Sequence, residues 1–142
     1  IKVADILSDS LPCKILIFGG SNEEELKNYI YKKMKNNPIL VNTKSIIQTA
    51  AVISNCKVFL TNDTGLMHIA AALNIPTVVL EGPIDPKKTV PFGDKNKAIY
   101  LPLFCRPCYI VGNKVECRFG HYNCLKYIEI NKVVNTIKGF IR

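Results

Sequence analysis

The sequence lacks several features that would place it at once in a large class of proteins. Its apolar runs are short, as at Ala70 to Leu73 and Thr77 to Leu80, and none approaches the length that spans a bilayer. It carries no secretory signal, no internal repeat and no low-complexity segment. Its first residue is Ile rather than Met, and residues 1 to 9 read as the tail of a helix. We therefore expect sequence to be missing upstream.

Acidic residues are also scarce, with 11 Asp and Glu against 19 Lys and Arg, for a formal net charge of +8. Such a charge suits an anionic ligand, a nucleic acid or an anionic membrane surface. The lysines form no long basic block, and no aromatic stacking pattern alternates with them, so we expect no nucleic-acid partner. With 142 residues, the chain is long enough for one domain with its own core.

Strand-like and helix-like segments alternate along the chain. Strands are predicted at Lys14 to Phe18, Ile39 to Asn42, Val58 to Thr61, Thr77 to Leu80 and Ala98 to Leu101. Helices are predicted at residues 1 to 9, from Ser21 onward, from Ser45 to about Ser54, at Leu66 to Leu73 and at residues 131 to 141. Continuous apolar strands that alternate with helices predict an α/β fold, with a Rossmann-like parallel sheet and helices on both faces. In such folds the ligand binds beyond the carboxyl ends of the strands, where we expect the polar loops to converge.

The corner after the third predicted strand has the composition of an anion site. Asp63, Thr64 and Gly65 precede a helix whose first N–H groups are free and carry the positive end of the helix dipole. Gly65 allows close approach to the backbone, and His68 lies on the first turn. Asp63, an acceptor only when ionised, suits sugar hydroxyls. A simple helix cap with a turn glycine explains the same residues, and this alternative stays open.

The acidic run that begins at Glu23 is equally ambiguous. Acids in a first helical turn stabilise the helix dipole without any ligand. A carboxylate that follows a strand and the Gly19-Gly20 turn is also where nucleotide-binding folds hold ribose hydroxyls. The turn is not a complete GxGxxG motif, so the motif alone is weak. Ser21 with Glu24, and Ser45 with Gln48, have the spacing of capping boxes at the two helix starts.

The segment NDTGLMHIAAALNIPTVVLEGPIDP resembles the signature of glycosyltransferase family 9, the ADP-heptose:lipopolysaccharide heptosyltransferases and their relatives. The matching residues are Asp63, Thr64, Gly65, Leu66, Met67, His68, Pro76, Gly82, Pro83, Asp85 and Pro86. Weaker similarity extends over nearly the whole chain, including its late cysteine segment. The resemblance implies one half of a GT-B fold, so we expect residues 1–142 to form a single C-terminal domain that binds the nucleotide sugar.

The resemblance also implies roles for individual residues. The backbone N–H groups of Thr64, Gly65 and Leu66 would hold the diphosphate of the donor, while Asp63 and His68 would face its sugar and phosphate. Glu23 matches the position that binds the adenosine ribose, and Lys44 falls where the family lines the adenine pocket. The acidic general base belongs to the N-terminal half, so we expect no catalytic residue in this chain and no turnover by this chain alone.

Two departures from the family pattern concern the donor site. Glu81 stands where the family usually has an aromatic residue before the Gly-Pro turn, and an acid there could alter recognition of the donor sugar. The family's lysine-containing loop on the first strand of this half would lie upstream of Ile1. Backbone amides and lysines would carry the diphosphate charge in such enzymes, so we expect no required cofactor.

Four cysteines lie close together in the late segment: Cys105, Cys108, Cys117 and Cys124. The first pair has the spacing of zinc ligands, the second pair is looser, and His121 is a candidate substitute ligand. A structural zinc ion is therefore one interpretation. Four reduced thiols packed in a loop, or disulfides, are the others, although disulfides are rare in cytosolic enzymes.

The leading hypothesis is the donor-binding half of a glycosyltransferase that moves a sugar, expected to be heptose, from an ADP-sugar to a lipopolysaccharide core acceptor bound by the missing half. The alternatives are a non-catalytic nucleotide-binding module and a small interaction domain held together by a metal. We expect a cytoplasmic location, and the basic charge is weakly consistent with peripheral association with the inner face of the inner membrane.

Overall fold

The computed structural model of the protein describes residues 1–109 and 116–141. The chain forms two compact units, residues 1–49 and residues 50–142, and the boundary falls within one helix. Each unit contains its own parallel strands. Every helix in the described ranges is too short or too polar to cross a membrane.

The first unit contains short strands between longer helices. Its elements are α1 (Lys2–Ser10), β1 (Leu16–Ile17), a single 3-10 turn (Ser21–Glu23), α2 (Glu24–Lys33) and β2 (Ile39–Leu40), followed by the start of α3 (Ile46–Ile53). The two strands pair in parallel, with Leu16 opposite Ile39. The buried Asp5 carboxylate accepts a hydrogen bond of 3.0 Å from the backbone N–H of Lys35, just beyond α2, and so fixes α1 to the end of that helix.

The second unit contains a three-stranded parallel sheet. Its elements are β3 (Phe59–Asn62), α4 (Gly65–Ala72), β4 (Thr77–Leu80), α5 (Pro86–Thr89), β5 (Asn96–Ile99), α6 (Asn123–Lys126) and α7 (Ile130–Phe140). The strand order is β3-β4-β5. Asn62 lies opposite Leu80, and Leu80 lies opposite Ile99, so the three strands end at the same level.

The central strand β4 forms the core of the second unit. Successive residues of a strand point to opposite faces, and Val78 and Val79 are both 0% exposed, so both faces of β4 are covered. Helix α4 packs on β3 and β4 through its buried Met67, and α7 contacts β4. The burial of both faces explains why β4 reads as an uninterrupted apolar run in the sequence.

The predicted alternation of helices with parallel strands is confirmed. The bounds of β4 match the prediction, whereas β5 begins at Asn96 rather than at Ala98, and the short helices α5 and α6 were not predicted. The strands that the structure describes pair as two sheets rather than the expected one. The assignment of residues 1–142 to a single domain stays a prediction.

Two expectations about α2 were wrong. The helix begins at Glu24, because Ser21–Glu23 form a 3-10 turn, and the reciprocal cap lies between Gly20 and Glu23 rather than between Ser21 and Glu24. In this helix Leu26 is 55% exposed, whereas Lys27 is 4% exposed. The second predicted capping box is confirmed: Ser45 Oγ accepts from the N–H of Gln48 at 3.3 Å, and Gln48 Oε1 accepts from the N–H of Lys44 at 2.8 Å.

Candidate functional site

The corner between β3 and α4 has an open helix N-terminus. Thr64 is the N-cap residue in an extended conformation, yet its side chain makes no cap hydrogen bond. Its hydroxyl lies 3.2 Å from Thr61 Oγ1 instead. The N–H groups of Gly65 and Leu66 have no partner within the helix, as for every first turn. Because Thr64 leaves them uncapped, these N–H groups can bind an external anion. We call the backbone N–H groups of Thr64, Gly65 and Leu66 the anion site.

Gly65 leaves space in front of the anion site. A Cβ atom built on Gly65 would meet no described atom within 4 Å, and Gly65 does not have the positive φ angle that side chains avoid. A larger residue would therefore be compatible with the fold, so neither packing nor backbone strain requires a glycine there. The open space at Gly65 would allow a ligand to approach the backbone closely.

The flanking side chains divide between core and surface as the helix turns. Met67 is 0% exposed and anchors α4 on the sheet. His68, one residue further along, is exposed, and so is Thr64, whereas Asp63 is half-buried at the end of β3. The exposed side chains stand at the carboxyl edge of the sheet, where ligands of parallel α/β folds bind. The structure places Asp63, Thr64, Gly65, Leu66 and His68 at the end of β3 and the start of α4, and their binding roles stay predictions.

Glu81 extends from the end of β4 and is 0% exposed. Its Oε1 accepts a hydrogen bond of 3.3 Å from the Thr89 hydroxyl of α5, whereas Oε2 has no hydrogen-bond partner among the described residues. Burial raises the pKa of this carboxyl, and the Asp63 carboxylate raises it further, while the Thr89 hydrogen bond and the Arg106 charge lower it. Glu81, the acid that departs from the family pattern, is therefore a buried residue that binds α5 at the end of β4.

Arg106 holds the turn that follows Glu81. Its guanidinium donates hydrogen bonds to three backbone carbonyls, those of Gly82, Ile84 and Leu101, the last two at 2.8 Å each. It also lies 5.0 Å from the centroid of the Tyr100 ring. A guanidinium can donate hydrogen bonds to three carbonyls at once because its five N–H donors are fixed in one plane.

A role for Arg106 was not predicted from the sequence, because the segment Cys105 to Cys108 was interpreted only through its cysteines. An arginine flanked by Cys105 and Pro107 in a turn-rich loop is the one signal the sequence offered. The backbone of the same loop adds a further bond, from the N–H of Cys108 to the Pro83 carbonyl at 2.9 Å. Asp85 begins α5 by accepting from the N–H of Lys87 at 3.1 Å, so this acid of the Gly-Pro-x-Asp-Pro turn acts as a helix cap.

Glu23 and Lys44 belong to the first unit. Glu23 Oε2 accepts a hydrogen bond of 2.8 Å from the N–H of Gly20, so this carboxylate stabilises the turn after β1. Lys44 is exposed just before α3, with its backbone N–H bonded to Gln48. Both follow strands of a parallel pair, as expected for ligand-binding positions. Their predicted contacts with ribose and adenine, and their convergence with the anion site, stay predictions.

A second residue missed by sequence reasoning is Lys27. Its ammonium Nζ is bonded to Glu24 Oε2 at 2.7 Å and to Asn42 Oδ1 at 3.1 Å, and its side chain packs against Gly19. Asn42 follows β2, so this buried lysine joins the turn after β1 to the end of β2. Its place on α2, one residue from Leu26, gave no signal that it would be buried.

The late cysteines influence one another without forming an evident metal centre. Partial burial raises the pKa of the Cys108 thiol, and the neighbouring Cys105, Cys124 and Cys117 raise it further. Cys117 is also 3.8 Å from His121 Nδ1, and the Tyr122 N–H lowers the pKa of the Cys117 thiol. Within residues 1–109 and 116–141, no group of three or more His, Cys, Asp or Glu side chains is arranged to hold a metal ion. The structural zinc ion therefore has no support from this arrangement.

Comparison with known families assigns the chain. Residues 1–122 match the model of glycosyltransferase family 9 (heptosyltransferase). The chain belongs to glycosyltransferase family 9. A lipooligosaccharide heptosyltransferase 2 of Campylobacter jejuni is 38% identical over 96% of this chain and 43% of its own length. The lipopolysaccharide heptosyltransferase 2 of Escherichia coli is 36% identical over 62% of this chain and 27% of its own length.

Solved structures agree with the family assignment. The chain superimposes with a TM-score of 0.78, at 28% identity, on E. coli ADP-heptose lipopolysaccharide heptosyltransferase II, over 99% of this chain and 39% of that one. A family 9 glycosyltransferase from Veillonella parvula gives a TM-score of 0.77 at 25% identity, over the same shares of the two chains. The expected resemblance and the α/β fold of one part of a GT-B enzyme are confirmed. The chain spans about two fifths of the length of the Campylobacter relative.

Proposed function

We propose that this chain is the donor-binding part of a heptosyltransferase. The reaction is transfer of heptose from an ADP-sugar to a lipopolysaccharide-type acceptor, and the acceptor and the acidic general base are bound or supplied by a part that this chain does not contain. The observation that carries the proposal is the uncapped anion site at Gly65, which lies at the carboxyl edge of a parallel sheet in a member of family 9.

The anion site suits the chemistry of such a transfer. As the bond between sugar and diphosphate breaks, negative charge grows on the diphosphate, and fixed N–H donors stabilise it without having to reorganise. The exposed His68 and the half-buried Asp63 flank these donors and are the candidates for contacts with phosphate and sugar. The base in the missing part removes the proton of the acceptor hydroxyl. We infer a cytoplasmic location for this reaction, and the charge of +8 suits association with an anionic inner membrane face.

Calorimetric titration of the full-length protein with ADP, UDP and their sugar conjugates tests the proposal. We expect saturable binding of the ADP compounds in preference to the UDP compounds. Gly65→Val should weaken binding at least tenfold, because its side chain enters the space in front of the anion site, where a Cβ atom meets no described atom within 4 Å.

Gly139→Val is the matched control. A Cβ atom at Gly139 would also meet open space, but this glycine lies on an exposed part of α7. The control variant should bind ADP as the wild type does. Preference for UDP would retain the fold and reject the ADP-heptose assignment. Equal binding by wild type and Gly65→Val would show that the helix start is only a structural cap.

A further inference from the structure

Glu81 and Asp63 are neighbours at the ends of adjacent strands. Asn62, the last residue of β3, lies opposite Leu80, the last residue of β4, and Asp63 and Glu81 are the residues that follow them. The Asp63 carboxylate raises the pKa of the Glu81 carboxyl, because two nearby acids repel each other when both are ionised. Asp63 directly precedes the anion site, so its charge state and that of its neighbour affect any anion bound there.

The surroundings of Glu81 suit a neutral acid better than a carboxylate. A buried carboxylate normally accepts several hydrogen bonds or pairs with a cation. Here only Oε1 accepts a bond, from the neutral Thr89 hydroxyl, and Oε2 is left without a partner among the described residues. The nearby cation, Arg106, directs its N–H groups to the carbonyls of Gly82, Ile84 and Leu101. A proton on Oε2 removes the charge that this setting fails to balance.

We propose that Glu81 is a proton-dependent positioning residue of the donor site, neutral when the anion site is occupied and repulsive to the diphosphate when it is ionised. The inference rests on the proposed function, because it needs an anionic donor at the anion site. It gives this protein a property that an aromatic residue at the same position could not supply. Binding of the donor would then be coupled to uptake of a proton by Glu81.

The sign of the coupling follows from linkage. A bound diphosphate adds negative charge near Glu81 and raises the pKa of its carboxyl above the value in the free protein. Between those two pKa values, the complex holds one more proton than the free protein. The affinity for ADP therefore falls as pH rises, by at most tenfold per pH unit for one proton. At a pH below both values, Glu81 is neutral in both states and the affinity does not depend on it.

The test compares the wild type with Glu81→Gln, which keeps the shape and neutrality of the protonated acid. Titrations of the full-length protein with ADP, repeated across pH and in buffers of different ionisation enthalpy, give both affinity and proton uptake. The variant should match the wild type at low pH, bind more tightly at high pH and take up less proton. Titration of ADP itself is common to both proteins and cancels in the comparison. Asp94→Asn, on an exposed loop, makes the same change in net charge and should retain the wild-type pH dependence.

A second variant covers the case in which Glu81→Gln does not fold. Thr89→Val leaves Glu81 in place and removes the hydrogen bond that lowers its pKa. The fall in ADP affinity should then begin at higher pH than in the wild type. Parallel pH profiles and equal proton uptake in the wild type, Thr89→Val and any folded Glu81→Gln would overturn the inference while the proposed function stands. Failure of every protein to bind ADP at any pH would overturn the proposed function and the coupling with it.

Discussion

Replacement of Arg106 by Met should destabilise the second unit, because its side chain joins two segments of that unit. Arg106 is only half-buried, but its guanidinium is bonded to three backbone carbonyls in two separate segments, the turn after β4 and the loop after β5. A hydrogen bond to a charged donor contributes about 1.5–3 kcal/mol, and the contact with the Tyr100 ring adds about 0.5–1 kcal/mol. Water can reach part of this site after the substitution and offset part of the loss. We therefore expect a decrease of about 3 kcal/mol in the free energy of unfolding.

Denaturant unfolding followed by far-UV circular dichroism measures this decrease. Arg106→Lys should recover less than half of it, because a single ammonium cannot direct donors to three carbonyls in one plane. Arg118→Met is the matched control: Arg118 is exposed, lies 5.9 Å from the Phe119 ring centroid, and should change stability by less than about 0.5 kcal/mol. If Arg106→Met proved as stable as Arg118→Met, the three carbonyl bonds would not hold the turn and the reasoning would fail.

Three further predictions concern packing, charge and pH. Val78→Ala should lower the free energy of unfolding by about 2 kcal/mol, since it opens a cavity in a strand covered on both faces; a loss below about 0.5 kcal/mol in denaturant unfolding would contradict that packing. Lys27→Met should change the free energy of unfolding by less than about 1 kcal/mol, because an apolar side chain of similar length can replace the buried ammonium. The partner carboxylate of Glu24 is 48% exposed in its side chain, so it stays solvated after the change. A loss of several kcal/mol would show that the ion pair is essential. The pKa of Glu81 is raised in the folded protein, so its contribution to stability is complete below the unfolded-state pKa of about 4.3 and is lost as pH rises through the folded-state pKa. As pH rises, the wild type should therefore lose stability relative to Glu81→Gln, by at most about 1.4 kcal/mol per pH unit. Parallel profiles of unfolding free energy against pH would refute this prediction.

The strand β4 and the start of α4 in the second unit could be predicted from the sequence because each depends on residues that are adjacent in the sequence. The apolar run at Thr77–Leu80 is a strand with the bounds expected, and the polar corner at Asp63 begins a helix one residue before the predicted Leu66. The strand is visible in the sequence because burial of both its faces requires an uninterrupted apolar run. The helix start is visible because the free N–H groups of its first turn favour particular residues at the adjacent positions.

Two sets of supporting contacts, one in each unit, could not be predicted because they join segments that are distant in the sequence. Arg106 reaches Gly82 across 24 positions, and Lys27 reaches Asn42 across 15. Contacts at these separations produce no periodic pattern of residue types from which they could be predicted. The unusual acid Glu81 was noticed as a departure from the family pattern, but only its burial, the nearby Asp63 charge and the lack of a described partner for Oε2 gave it a physical interpretation. The cysteine spacing suggested a zinc ion, whereas the described sulfur atoms are not arranged as a set of metal ligands.

The most direct test of the central claim is a crystal structure of the full-length protein with ADP bound. The account predicts diphosphate oxygens within hydrogen-bond distance of the backbone nitrogens of Gly65 and Leu66, with no atom of the protein between them. It also predicts that Asp63 and His68 face the bound nucleotide. A nucleotide bound elsewhere, with the start of α4 covered only by solvent, would contradict the account.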